Sequence, residues 1–146
     1  MQIPAYLVIG TPTSGRRGVV WDAVERGSME GEFSVVFVSA GEKPSDFDAA
    51  IAGADNAGIV KYSDAADAAE KLGALDPRKI SRVFYLADST KSLADEIESF
   101  KGLASGGKIR LARIWSVVDC SMAEKFPKQT AKYVDMLSHF ADCVLL

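Results

Sequence analysis

Five short apolar runs separated by helix-like segments set the strongest limit on how this chain can fold. The runs are AYLVIG (residues 5–10), FSVVFVSA (33–40), RVFYLADS (82–89), RIWSVVDC (113–120) and DCVLL (142–146). Runs of this length, nearly continuous in valine, leucine, isoleucine and phenylalanine, read as strands buried on both faces of a parallel sheet. GIVKY (58–62) is a weaker run and reads as an extra edge strand. Between the runs, residues 17–26 place Val20 and Val24 on one helical face, with Trp21 close by. Residues 45–52 and 63–72 each open on a serine suited to N-capping, and the alanines of the second favour helix. Residues 92–103 put Leu93, Ile97 and Phe100 at helical spacing, and 127–140 do the same with Tyr133, Leu137 and Phe140. Strands alternating with helices predict an α/β fold: a three-layer, doubly wound, mainly parallel sheet of about five strands with right-handed crossovers.

Composition narrows the rest. A chain of 146 residues suits one domain, 1–146, and supports a sizeable core. Apolar residues make up 48% and charged ones 25%, which argues against disorder. A net charge of −3 gives no basic footprint for nucleic acid. No apolar run approaches the roughly 20 residues of a membrane helix. MQIPAYLVIG lacks a basic leader region and is not a signal peptide. Cys120 and Cys143 sit in apolar contexts without metal-ligand spacing, and they read as reduced thiols of a cytoplasmic protein. There is no internal repeat, and GLASGGKIR (102–110) reads as the most flexible loop.

The stretch GTPTSGRRG (10–18) follows the first run and precedes the first helix, where a phosphate-binding P-loop stands. That motif needs GxxxxGK[ST]. Its glycines let backbone N–H groups point at phosphate oxygens, its lysine reaches the terminal phosphates, and its hydroxyl ligates Mg²⁺. The helix that follows adds positive charge at its N-terminus. Gly10 and Gly15 have the right spacing, but Arg16 takes the lysine position and Arg17 the hydroxyl position. Arginine contacts phosphate bidentately, whereas Arg17 cannot hold magnesium, and phosphoryl transfer without the metal is poorly neutralised. Thr11, Thr13 and Ser14 offer hydroxyls from other places. Two readings stand: a weakened anion site using Gly10, Thr13, Ser14, Gly15, Arg16 and Arg17, or an ordinary strand-to-helix turn holding two glycines.

YLVIGTPTSGRRG, SVVDCSMAEKF and KYVDMLSHFADCVLL together resemble, in order and length, the nucleotide-binding domain of the CobW/HypB/UreG group of P-loop GTPases, most closely its CobW branch. The resemblance covers nearly the whole chain, with no single motif intact. It implies strand order 2-3-1-4-5, with GTP or another nucleotide as ligand. It also implies a role for Asp88, in the segment Asp88-Ser89-Thr90-Lys91, as the acid holding magnesium-bound water. Lys91 stands where the family has a glycine that senses the terminal phosphate. The family's Cys-x-Cys-Cys metal motif has no counterpart near NAGIVKYSD (56–64), so no metal site is expected and Mg²⁺ use is in doubt. The guanine-reading N-K-x-D motif would follow beyond Leu146. A strand ending at the terminus reads as a chain cut from a longer protein, or as a naturally short one.

Blander readings stand beside these. Asp88 and Asp119 both end expected strands, where ligands bind in open α/β sheets and where aspartate also closes strands. The turn role is favoured for Asp119, and neither role for Asp88. His139, the single histidine, reads as structural at a helix C-terminus. Trp21 and Trp115 read as sheet packing, and Glu42, Lys43 and Asp46, after the second strand, read equally as a mobile loop near the site or as exposed loop charge. Two functions remain in view. One is a nucleotide-binding domain with weak or absent hydrolysis, in which nucleotide or phosphate is the partner and Arg16 the cation. The other is a non-enzymatic pseudo-GTPase that binds protein partners, with Arg16 and Arg17 filling the phosphate space or pairing with Asp88. A receiver-like domain is set aside because the first strand ends in Gly10 rather than an acidic cluster. A flavodoxin-like one lacks flavin-stacking aromatic loops.

Overall fold

A computed structural model describes residues 1–10, 15–118, 124–129, 131, 132 and 135, and the backbone of 143–145. The elements are β1 (Ile3–Gly10), α1 (Arg16–Arg26), β2 (Ser34–Ser39), α2 (Asp46–Ala52), β3 (Ala57–Tyr62), α3 (Ala65–Gly73), β4 (Arg82–Leu86), α4 (Leu93–Ala104), β5 (Ile109–Val117) and β6 (Cys143–Leu145). They form one six-stranded sheet of order β3-β2-β4-β1-β5-β6, parallel at every pairing. Numbered by the five expected runs, this is the order 2-3-1-4-5, with GIVKY added outside the second.

Burial explains why these stretches are strands. All six residues of β2 are buried, so both of its faces must be apolar or internally bonded. One core cluster joins α3 and α4 to one sheet face through Ala68, Leu72, Ile97 and Phe100, packed with Leu7, Phe37 and Tyr85. The other joins α1 and α2 to the opposite face through Val20, Val24 and Ile51, packed with Val8, Val36 and Phe84. Trp21 and Trp115 pack partly buried against this second cluster, as expected. Between Ala5 and Tyr6 the register with β5 shifts, so that Ala5 pairs Leu111 and Tyr6 pairs Arg113. The extra residue, Ala112, is accommodated as a bulge that re-aims the strand.

GIVKY is the extra edge strand expected, part of a six-residue parallel strand for which β2 offers a complete ladder from Ser34–Ala57 to Ser39–Tyr62. Two expectations change. GLASGGKIR is mostly ordered: its start finishes α4 and its end begins β5, leaving 105–108 as the connection. The cap of α3 is Asp64, not Ser63. The Asp64 carboxylate accepts from the Asp67 N–H at 2.8 Å, while the Ser63 N–H donates to the Asp67 carboxylate at 2.9 Å. Ser45 and Ser92 do occupy N-cap positions, without a side-chain cap bond. Of the helix expected over 127–140, residues 127–129, 131, 132 and 135 are helical, and the remainder, with His139, lies outside the described residues.

Candidate functional site

Strands β1 and β4 are neighbours, yet the chain leaves β1 through α1 toward one face and leaves β4 through α4 toward the other. Open α/β sheets bind ligands in the crevice outside such a reversal, at the carboxyl ends of the strands. A cleft of about 480 Å³ lies there, lined in part by Gly15, Arg16, Arg17, Glu42, Ser89 and Thr90. The expected site residues Gly15, Arg16 and Arg17 are thus gathered with the segment that follows Asp88. Gly10 ends β1. Thr11, Thr13, Ser14, Asp119 and Cys120 lie outside the described residues, as does the side chain of Cys143.

Gly15 precedes α1 with φ 84° and ψ 22°, left-handed backbone that disfavours any side chain. A Cβ there would meet no atom within 4 Å, so the requirement is conformational rather than steric. The first turn of α1 has no acidic residue of its own and no side-chain cap among the described residues. Its N–H groups therefore carry the helix-end partial charge with no carboxylate from within the turn.

The two arginines do not extend into solvent. Arg16 spans the crevice, with its side chain only 3% exposed. Its Nη1 donates to the carbonyl of Ala87 at 2.6 Å, and its Nη2 donates to the Glu42 carboxylate. Glu42 Oε2 also accepts from the Ser89 hydroxyl at 3.0 Å. Arg17 donates through Nη1 to the Lys43 carbonyl at 2.5 Å and lies with Nε 3.3 Å from Asp48. Both cations are thereby tied to the segment that leaves β2 and enters α2. The expectation that they pair with Asp88 is corrected: Glu42 and Asp48 take that role, because the β2–α2 segment folds over the start of α1. Phe47 closes the same contact, its ring 3.3 Å from where a Cβ on Gly18 would stand. Glu42 is not a solvated loop charge, since its side chain is 7% exposed.

Asp88 lies just beyond β4 and is engaged within the chain. One carboxylate oxygen accepts from the Ser39 hydroxyl at 2.7 Å. The other accepts from the Thr90 N–H at 2.9 Å and the Thr90 hydroxyl at 2.5 Å. Burial works to raise its pKa, but the bonds from Thr90 and Ser39 outweigh it and hold the carboxyl below its ordinary value. Glu96, on the first turn of α4, shifts the other way. Burial raises its pKa, Lys91 opposes this, and the neighbouring Asp88 charge adds to it. Under both lie the stacked rings of Tyr62 and Tyr85, centroids 4.8 Å apart, with the Tyr62 hydroxyl donating to the Leu86 carbonyl at 2.6 Å. Burial pushes both phenols above their ordinary range, so they stay neutral.

This arrangement offers no hydroxyl at position 17, and its cations are already neutralised. Among the described residues, no group of three or more histidines, cysteines, aspartates or glutamates could hold a metal ion, and no helix is long and apolar enough to cross a membrane. Sequence reasoning missed Glu42 and Asp48 as partners. The available signal was charge: adjacent arginines at a helix start need acids, and the 42–48 segment is the nearest acidic stretch after the second strand. Compared with family models, curated proteins and solved structures, the chain matches none of them.

Proposed function

We propose that this chain is a pseudo-GTPase: an α/β module on the CobW-like P-loop plan that acts as a cytoplasmic scaffold or partner-binding domain without hydrolysing nucleotide. The observation that carries this reading is Arg16. Its guanidinium crosses the ligand crevice and is shared between the Ala87 carbonyl and the buried Glu42 carboxylate. A phosphate arriving there meets a cation already neutralised, beside a carboxylate that repels it. Arg17 supplies no magnesium ligand and is held by Asp48 and Lys43. Asp88, the acid to which the resemblance assigns magnesium-bound water, already accepts three hydrogen bonds.

A second reading is favoured by one specific feature. The uncapped first turn of α1, after a left-handed Gly15 and with no acidic residue, retains the makings of a phosphate cradle. In that reading the chain binds GTP, ATP or phosphate weakly through Gly15, Arg16 and Arg17, with Gly10, Thr13 and Ser14 completing the loop. Calorimetric titration with GTP, ATP and inorganic phosphate separates the two. The pseudo-GTPase reading expects no binding heat from the native chain. Binding that is present in the native chain and lost in Arg16→Ala would establish the second.

A further inference from the structure

The Arg16–Glu42 pair is half-made. Arg16 Nη2 meets Glu42 Oε2, while Arg16 Nε and Glu42 Oε1 are both buried without a hydrogen-bond partner among the described residues. The Nε and Nη2 edge of a guanidinium is a fork that normally takes both oxygens of an acid. Leaving one donor and one acceptor of such a pair dry and unmatched is costly. Neither orphan atom touches solvent, so nothing reaches them while the 42–48 segment lies closed. One backbone bond, from the Glu42 N–H to the Ser39 carbonyl at 3.2 Å, ties the start of that segment to β2, and side chains hold it to α1: Arg16 and Ser89 grip Glu42, and Arg17 grips Lys43 and Asp48. The cleft beside it, about 480 Å³, has room for a phosphoryl group at the uncapped start of α1.

From this geometry we propose that Glu42 is the resident occupant of an oxyanion site, and that it competes with phosphoryl oxygens for the free edge of Arg16. The carboxylate imitates one oxygen of the anion and leaves the second donor unmet. A phosphoryl group entering the cleft takes both donors of the fork. It expels Glu42 and frees the 42–48 segment from α1, so that occupancy of the site and release of the segment are one event. The ligand class is a phosphoryl-bearing anion, with pyrophosphate as its simplest probe. The inference rests on the P-loop reading only in that choice of ligand.

The test is calorimetric titration of pyrophosphate into the native chain, Glu42→Gln and Ser89→Ala. Glutamine keeps the shape and one acceptor but removes the charge that neutralises Arg16. Ser89→Ala removes the second grip on Oε2 without touching the charge. The expected result is measurable pyrophosphate binding in Glu42→Gln, at least about tenfold tighter than the limit set by the native chain, whose own affinity is held down by Glu42; tenfold is the scale of a single charge-assisted contact. A smaller gain in the same direction is expected in Ser89→Ala. A folded Glu42→Gln that binds no better than the native chain overturns the proposal. If Glu42→Gln does not fold, an unchanged affinity in Ser89→Ala overturns it equally. Tight Mg-GTP binding by the native chain would defeat the pseudo-GTPase reading and leave this ranking of variants intact. Equal affinities across the three proteins would defeat the ranking and leave that reading intact.

Discussion

At the scale of single residues, the molecule turns on charges placed beside partners of their own chain. Removing one member of a buried ion pair leaves the other uncompensated, which costs about 3–5 kcal/mol. Arg16→Ala and Glu42→Ala are each expected to destabilise by that order in denaturant melts. The double variant is expected to fall well short of their sum, since groups in contact couple. Additive losses would show that the two side chains do not depend on each other. Asp88 and Glu96 give opposite pH dependences. Asp88 has a lowered folded pKa, so its contribution is present above its ordinary value of 3.8 and is lost as pH falls through the folded one. Glu96 has a raised folded pKa, so its contribution is full below its ordinary 4.5 and is lost as pH rises through the folded one. Glu96→Gln is therefore expected to raise the melting temperature at pH 7 and leave it nearly unchanged at pH 4. Asp88→Asn is expected to lower it at pH 7, with a loss of about 2 kcal/mol for weakened bonds to a charged acceptor. A pH-independent shift in either variant would contradict the assignment.

At the scale of elements, stability comes from helices laid on a sheet whose centre is wholly apolar. Phe100 of α4 is fully buried and tilts against Tyr85 with centroids 5.1 Å apart. Phe100→Ala is expected to cost about 3–5 kcal/mol in chemical denaturation, since a cavity remains where the ring was. A loss below roughly 1 kcal/mol would mean that α4 is not seated as described. Arg82 does comparable work at the opposite end of the sheet. It donates to Ser34 and Ser28 and to the Ala23 carbonyl near the end of α1, with its guanidinium 5.0 Å above the Phe84 ring. The central elements were legible because burial leaves a direct trace: β2 is apolar from Val35 to Val38 since both its faces are covered, and its two end serines are buried in hydrogen bonds. The edge strand β3 was underrated because one side lacks a neighbour, so its residues need not be uniformly apolar. GLASGGKIR misled because glycine and serine mark turns, while Ile109 is drawn into β5 by pairing with Ile3. The candidate site was legible in its glycines and arginines. Glu42 and Lys43 were legible only as one of two readings, a loop near the site, and the pairing of Arg16 with Glu42 was not legible, because it depends on how the chain after β2 folds back, which no local pattern encodes.

At the scale of the whole molecule, a doubly wound sheet presents its crevice at the reversal between β1 and β4, and this chain spans that crevice with its own arginine. The parallel order places the cleft at the carboxyl ends of the strands, where open α/β sheets bind ligands, while the internal pairing neutralises the cations that line it. The most direct test is to follow thermal unfolding of the native chain with and without saturating Mg-GTP. A ligand present at a hundred times its dissociation constant stabilises the folded state by about 2.7 kcal/mol. For a domain of this size that is a shift of several degrees. Coincident melting curves are the result predicted by a crevice closed from within, and a clear rise in the midpoint with Mg-GTP would contradict it.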